Sequence, residues 1–245
     1  MKSSDYIDAV AKMKVPDGTK KIIKNLKQFK ERKHMSKRKI TAIAAAAVIT
    51  CGAVVYAASS GIITSWYASS GSRPDFKTLP AEEQCIKDCG FVPILINEFS
   101  NGYSFEAGHI VDNALHDDGD NVAEKFKSFD FTYDKDGEKI YFSQSKYDTQ
   151  VPQEGEVADS VNGTYIYYYS YINKFVPADY KLTDEDKKAE ANGELVFSYG
   201  SGEVEVMTIS SASWKDGNTH YSLMQMGGSL TKEQLVDMAK EAAEK

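Results

Sequence analysis

The sequence predicts an α+β protein with one membrane-spanning helix, and three observations predict it. An uncharged, mostly apolar run from Ile40 to Ala58 follows the basic residues Lys37, Arg38 and Lys39. Past Gly90, stretches of strand-forming residues alternate with turn signals such as Asp136-Gly137. The chain then closes on Ser229–Ala242, where Leu235, Met238 and Ala242 recur at helical spacing behind a threonine cap.

The elements follow in order. Residues 1–39 hold 13 Lys/Arg against 4 Asp/Glu, net +9, whereas the remainder holds 16 against 32, net −16. The overall −7 therefore averages two segments of opposite character, and the acidic remainder disfavours nucleic acid, which needs clustered Lys/Arg. Ser4 caps a first short helix carrying Tyr6, Ile7, Val10 and Met13. Val15-Pro16-Asp17-Gly18 breaks it, and Ile22, Ile23, Leu26 and Phe29 then recur at helical spacing among lysines. So short a segment builds little core alone, so this stripe is a face for a partner protein or for lipid.

As a helix, the apolar run reaches about 28 Å, close to the roughly 30 Å hydrocarbon core of a bilayer. We place the span at residues 40–60 and a stalk at 61–78, with Lys37, Arg38 and Lys39 anchoring the cytoplasmic end and Trp66 the outer end. Residues 79–245 then form the extracytoplasmic domain. A competing reading exists, because Val55-Tyr56-Ala57 fits a signal-peptidase cut after Ala57. Against it stand the long segment before the run and the absence of any charge between Lys39 and Arg73.

In the outer domain, Ala81–Gln84 opens a short helix closed by Gly90. Strands are expected at Tyr103–Leu115, Phe126–Tyr133, Lys139–Gln144, Thr164–Ile172, Glu194–Tyr199, Val204–Ser213 and Thr219–Gln225. Thr183–Asp186 suggests a short exposed helical insert, and Ser229 or Thr231 caps the last helix.

Two resemblances rest on these residues. The first helix, the Met13-Lys14-Val15-Pro16 break, the lysine-rich second helix and the alanine-rich span resemble the start of membrane-anchored anti-sigma factors of Gram-positive bacteria. That implies capture of an extracytoplasmic-function sigma factor and a role in transcription regulation. The zinc-binding His-x-x-x-Cys-x-x-Cys of one such class is absent from this chain, so the resemblance implies a zinc-free class. The ending, with Trp214, Gly217, Tyr221-Ser222-Leu223 and Leu230-Thr231-Lys232-Glu233-Gln234-Leu235, resembles an uncharacterised domain family found outside the membrane on anti-sigma-like proteins of Firmicutes. It implies a curved antiparallel β-sheet and a sensor or binding role, and it brings no catalytic residues.

Candidate sites are few. Tyr165, Tyr167, Tyr169 and Tyr171 fall on one side of a strand, where they stack on sugar rings, line a cleft for peptide or glycan, or simply cover the sheet. Cys85 and Cys89 share a helix face and are bridged, a redox switch, or inert. Asp112, Asp117, Asp118 and Asp120 lack the EF-hand pattern and read as a solvated turn. No nucleotide, zincin or nucleophile-elbow signature occurs, which leaves a cell-wall hydrolase or transferase dependent on His109, His116 and His220 as the weakest alternative. The expectation is a non-enzymatic single-pass regulator with a cytoplasmic partner, an envelope ligand and no cofactor or metal. The other reading is an exported or anchored ligand-binding protein without that partner.

Overall fold

The computed structural model describes residues 56–58, 61–117, 119, 121–148, 153–177 and 179–245. All lie in one compact unit, Ala42–Lys245. Ile22, Ile23, Leu26, Phe29, Lys37, Arg38 and Lys39 lie outside the described residues, as do residues 40–55 of the expected span. Among the described residues no helix is long and apolar enough to cross a membrane.

The elements run β1 (Tyr56–Ala58), β2 (Gly61–Ser69), α1 (Glu82–Cys89), β3 (Ser104–Asp117), β4 (Val122–Lys135), β5 (Glu138–Lys146), β6 (Glu156–Val161), β7 (Thr164–Val176), α2 (Asp184–Ala191), β8 (Val196–Tyr199), β9 (Glu205–Asp216), β10 (Thr219–Met226) and α3 (Lys232–Ala243). The strands form one curled sheet in the order β1-β2-β3-β4-β5-β10-β9-β7-β6, with β8 beside β7. Among the described residues every strand pairing is antiparallel except β7 with β8. The α+β class, the curled antiparallel-rich sheet and the C-terminal helix are thus as expected.

Local chemistry explains the hairpins. Asp136 (φ 55°) and Gly137 (φ 88°) supply the paired positive φ angles of a tight turn between β4 and β5. Asn162 and Gly163 do the same between β6 and β7. Alternation then sends Phe129, Phe131 and Tyr133 of β4 to one face, all fully buried. Register continues that face across the seam, where Phe131 opposes Phe142, Phe142 opposes Leu223 and Leu223 opposes Ala212.

Helix α3 covers this face with Leu235, Val236, Met238, Ala239 and Ala242, and Thr231 and Gln234 form a capping box at its start. Two buried glutamines fasten irregular chain to the same core. The Gln144 amide accepts from Ile94 N–H at 2.7 Å and donates to Ile94 C=O at 3.0 Å. Gln225 treats Leu230 alike, at 3.1 and 2.7 Å. Each side chain does for one residue what a neighbouring strand would do.

Several expectations change. Tyr56–Ala58, assigned to the end of the span, is strand β1, paired with Gly61–Ile63. Gly61–Ser69, assigned to the stalk, pairs with β3. Trp66 is therefore part of the domain: its indole donates to Asn113 Oδ1 at 2.9 Å and its ring packs edge-on against Phe126 and Tyr147. Strand β6 was not anticipated, because Glu156–Val161 carries mixed polar residues, although Asn162-Gly163 marked its turn. The insert at Thr183 is a helix with its own capping box, and Asp186 within it is held by Lys174 at 2.6 Å and Tyr180 at 2.8 Å.

Candidate ligand face

Strand β7 builds the most distinctive surface. Ile166 and Tyr168 face α3 and the core, so alternation turns Tyr165, Tyr167, Tyr169 and Tyr171 to the opposite face, as their spacing predicts. Tyr165 is 59% exposed and Tyr169 36%, and the Tyr169 and Tyr171 rings lie 5.4 Å apart. Two of their partners on β9 are small, Tyr167 opposing Ser213 and Tyr169 opposing Ser211, whereas Tyr171 opposes Ile209. Small neighbours leave the flanks of the rings uncovered.

From Tyr167 a polar row crosses the sheet. Tyr167 opposes Ser213, Ser213 opposes Ser222, Ser222 opposes Ser143, Ser143 opposes Asp130, and Asp130 opposes His109. Directly opposed residues share a face, so six strands contribute one continuous line of hydroxyl, carboxyl and imidazole groups. Ser213 Oγ donates to Gln153 Oε1 at 3.1 Å, and Ser143 Oγ donates to Asp130 Oδ1 at 2.5 Å. Burial pushes the Asp130 carboxyl above its ordinary range, and the Ser143 bond and the nearby His109 oppose that push. His109 Nδ1 is buried with no hydrogen-bond partner among the described residues.

The next row holds Ser128, Ser145, His220 and Lys215. The His220 ring stacks on Tyr147 at 4.0 Å and 7°, and burial lowers its pKa to about 4, with Lys215 adding to the effect. Nε2 of His220 is also buried without a partner among the described residues. Trp66, Phe126, Leu115 and Tyr147 close this end as a small aromatic cluster.

Chemically, the face offers aromatic rings for stacking and hydroxyls for hydrogen bonds. The arrangement of Ser143, Asp130 and His109 is not that of a nucleophile relay. An activated serine bonds an imidazole that a carboxylate orients, whereas this serine bonds the carboxylate. His109 and His220 share the face, and His116 lies beyond a bulge at the end of β3. Cys85 and Cys89 are both free thiols; burial raises both, Cys89 to about 12, which disfavours the reactive thiolate. Asp117 folds back to accept from the backbone N–H of Gly119 and Asn121, and Asp118 and Asp120 lie outside the described residues. Among the described residues no group of three His, Cys, Asp or Glu side chains is placed to hold a metal ion.

The tyrosines were legible from alternation alone. The Ser–Asp–His row was not, because its members come from six strands and meet only through register. In comparison with known proteins, no family model, no curated protein and no solved structure matches the chain.

Proposed function

We propose that the chain is a single-pass membrane regulator of the anti-sigma type. Residues 1–39 hold a cytoplasmic partner, a sigma factor, through Ile22, Ile23, Leu26 and Phe29. The apolar run after Lys39 threads the bilayer, and the folded unit outside it takes an envelope glycan on the tyrosine face. One observation carries the reading: a +9 segment and a −16 segment flank an uncharged apolar run, which suits opposite sides of a membrane. The tyrosine ladder supports the ligand half, since exposed rings beside serine hydroxyls match the alternating apolar and hydroxyl surfaces of sugars.

Strand β1 adds support for an uncleaved chain. A cut after Ala57 would fall inside it, between residues paired with Ile62 and Gly61. The test is capture from native membranes by the full-length chain. A sigma factor should co-purify with the wild type and be lost with Leu26→Glu/Phe29→Glu. Its absence from the wild-type eluate overturns the cytoplasmic half. If deletion of residues 1–30 leaves all function intact, the chain is instead an anchored binding protein.

A further inference from the structure

Three Asn-Gly dipeptides occur in the chain, at Asn101-Gly102, Asn162-Gly163 and Asn192-Gly193. Such a pair can cyclise on itself, because the glycine backbone nitrogen can attack the asparagine side-chain carbonyl. Glycine favours the step, since it has no side chain to block the approach. The attack needs the glycine N–H free of an acceptor and the asparagine side chain free to swing. The structure separates the three pairs on these grounds.

Two of them are tied down. The Gly102 N–H donates to Phe99 C=O at 2.8 Å, and Lys135 Nζ donates to Asn101 C=O at 2.7 Å. At the end of α2, the Gly193 N–H donates to Glu190 C=O at 3.0 Å. The Asn192 side chain is also engaged, its Nδ2 donating to Glu194 Oε1 at 3.1 Å.

Asn162-Gly163 differs. The pair is the tip of the β6–β7 hairpin, and both residues are exposed. Val161 and Thr164 oppose each other and close the turn, so the two tip amides lie outside the ladder. Among the described residues no hydrogen bond engages the Gly163 N–H or the Asn162 side chain. Beyond the chain neighbours, no atom lies within 4 Å of the point where a side chain on Gly163 would begin. Strand β6 ends the sheet and pairs only with β7, so no further strand steadies the tip.

We infer that Asn162 is a site of self-modification through a succinimide. The Gly163 nitrogen loses its proton and bonds to Asn162 Cγ, the Cγ–Nδ2 bond breaks, and Nδ2 leaves as ammonia with that proton. Water then opens the ring. Attack at Cγ leaves aspartate, and attack at the main-chain carbonyl carbon leaves isoaspartate, whose backbone runs through Cγ. Either product exchanges NH for O and gains a carboxylate. Isoaspartate also lengthens the chain between Val161 and Thr164, so the Val161–Thr164 and Ser160–Tyr165 pairs lose register first. The exposed end of the tyrosine strand shifts with them. The chemistry is the same whether or not the tyrosines take a ligand.

Peptide mapping by mass spectrometry tests it on the full-length chain, incubated in detergent at neutral pH. The Asn162 peptide should gain mass first and resolve into two species, aspartate and isoaspartate. A bonded amide must be released before it reacts, so the Asn101 and Asn192 peptides should convert at least about fivefold more slowly. In denaturant the three rates should converge, because the selectivity belongs to the fold. Asn162→Gly tolerates the φ of 50° at that position and should remove the early product with the fold intact. Equal rates for the three peptides in the folded chain, slower conversion at Asn162 than at either other pair, or an early product that persists in Asn162→Gly overturns the inference.

Discussion

Gly155 sits where the chain enters β6, at φ 94°, and a Cβ there would lie 2.1 Å from the Tyr168 carbonyl oxygen. Both the dihedral and the contact exclude a side chain. Gly155→Ala should therefore destabilise the fold by about 1–3 kcal/mol, read as a lowered denaturation midpoint. His220 makes a different residue-scale prediction. Its folded pKa of about 4 lies below its unfolded value near 6.5, so only the unfolded chain takes up a proton between them. Its contribution is complete above about pH 6.5 and is lost as pH falls toward 4, at most about 3 kcal/mol. Asp130 titrates in the opposite sense, since protonation relieves a buried charge. Comparing stability–pH curves of the wild type and His220→Phe isolates the histidine. The variant should lack that acid loss, and parallel curves would refute the assignment.

At the scale of elements, glutamine clasps replace strand pairing where the chain is irregular. Gln144→Leu removes the side-chain partner of both the N–H and the C=O of the half-buried Ile94 and should cost about 1–3 kcal/mol. Leu235→Ala in α3, a fully buried position, should cost about 2–5 kcal/mol. The tyrosine strand should behave in the reverse way. Tyr165→Ala/Tyr169→Ala removes exposed rings, so stability should change by only about 0.5 kcal/mol while retention on a glycan column is lost. Retention equal to wild type would mean the ladder merely covers the sheet. Elements with local signals were readable in advance: Asp136-Gly137 announced the β4–β5 hairpin, and a Ser229 or Thr231 cap ahead of Leu235, Met238 and Ala242 announced α3. Strands β1 and β2 were not, because an Ala- and Ile-rich run has no period that separates a lipid-facing helix from a strand. The Ser143–Asp130–His109 row and the Ile94 clasp depend on register between distant strands, which single-sequence patterning does not carry.

In the whole molecule, the proposed span and the strand order together bear on how near a membrane the sheet would stand. The sheet begins at β1, whose three residues close the apolar run, and β2 is fastened to the domain through Trp66, Asn113 and Ser128. If the run spans the bilayer as proposed, no long stalk separates lipid from sheet, and the domain stands close to the outer leaflet. The proposed occupancy of two compartments by one chain depends on the apolar run staying attached. Intact-mass measurement of the native protein, taken from separated membrane and membrane-free fractions, tests this most directly. A retained anchor predicts the complete 27.2 kDa chain in the membrane fraction. A membrane-free product beginning at Ala58 would contradict it.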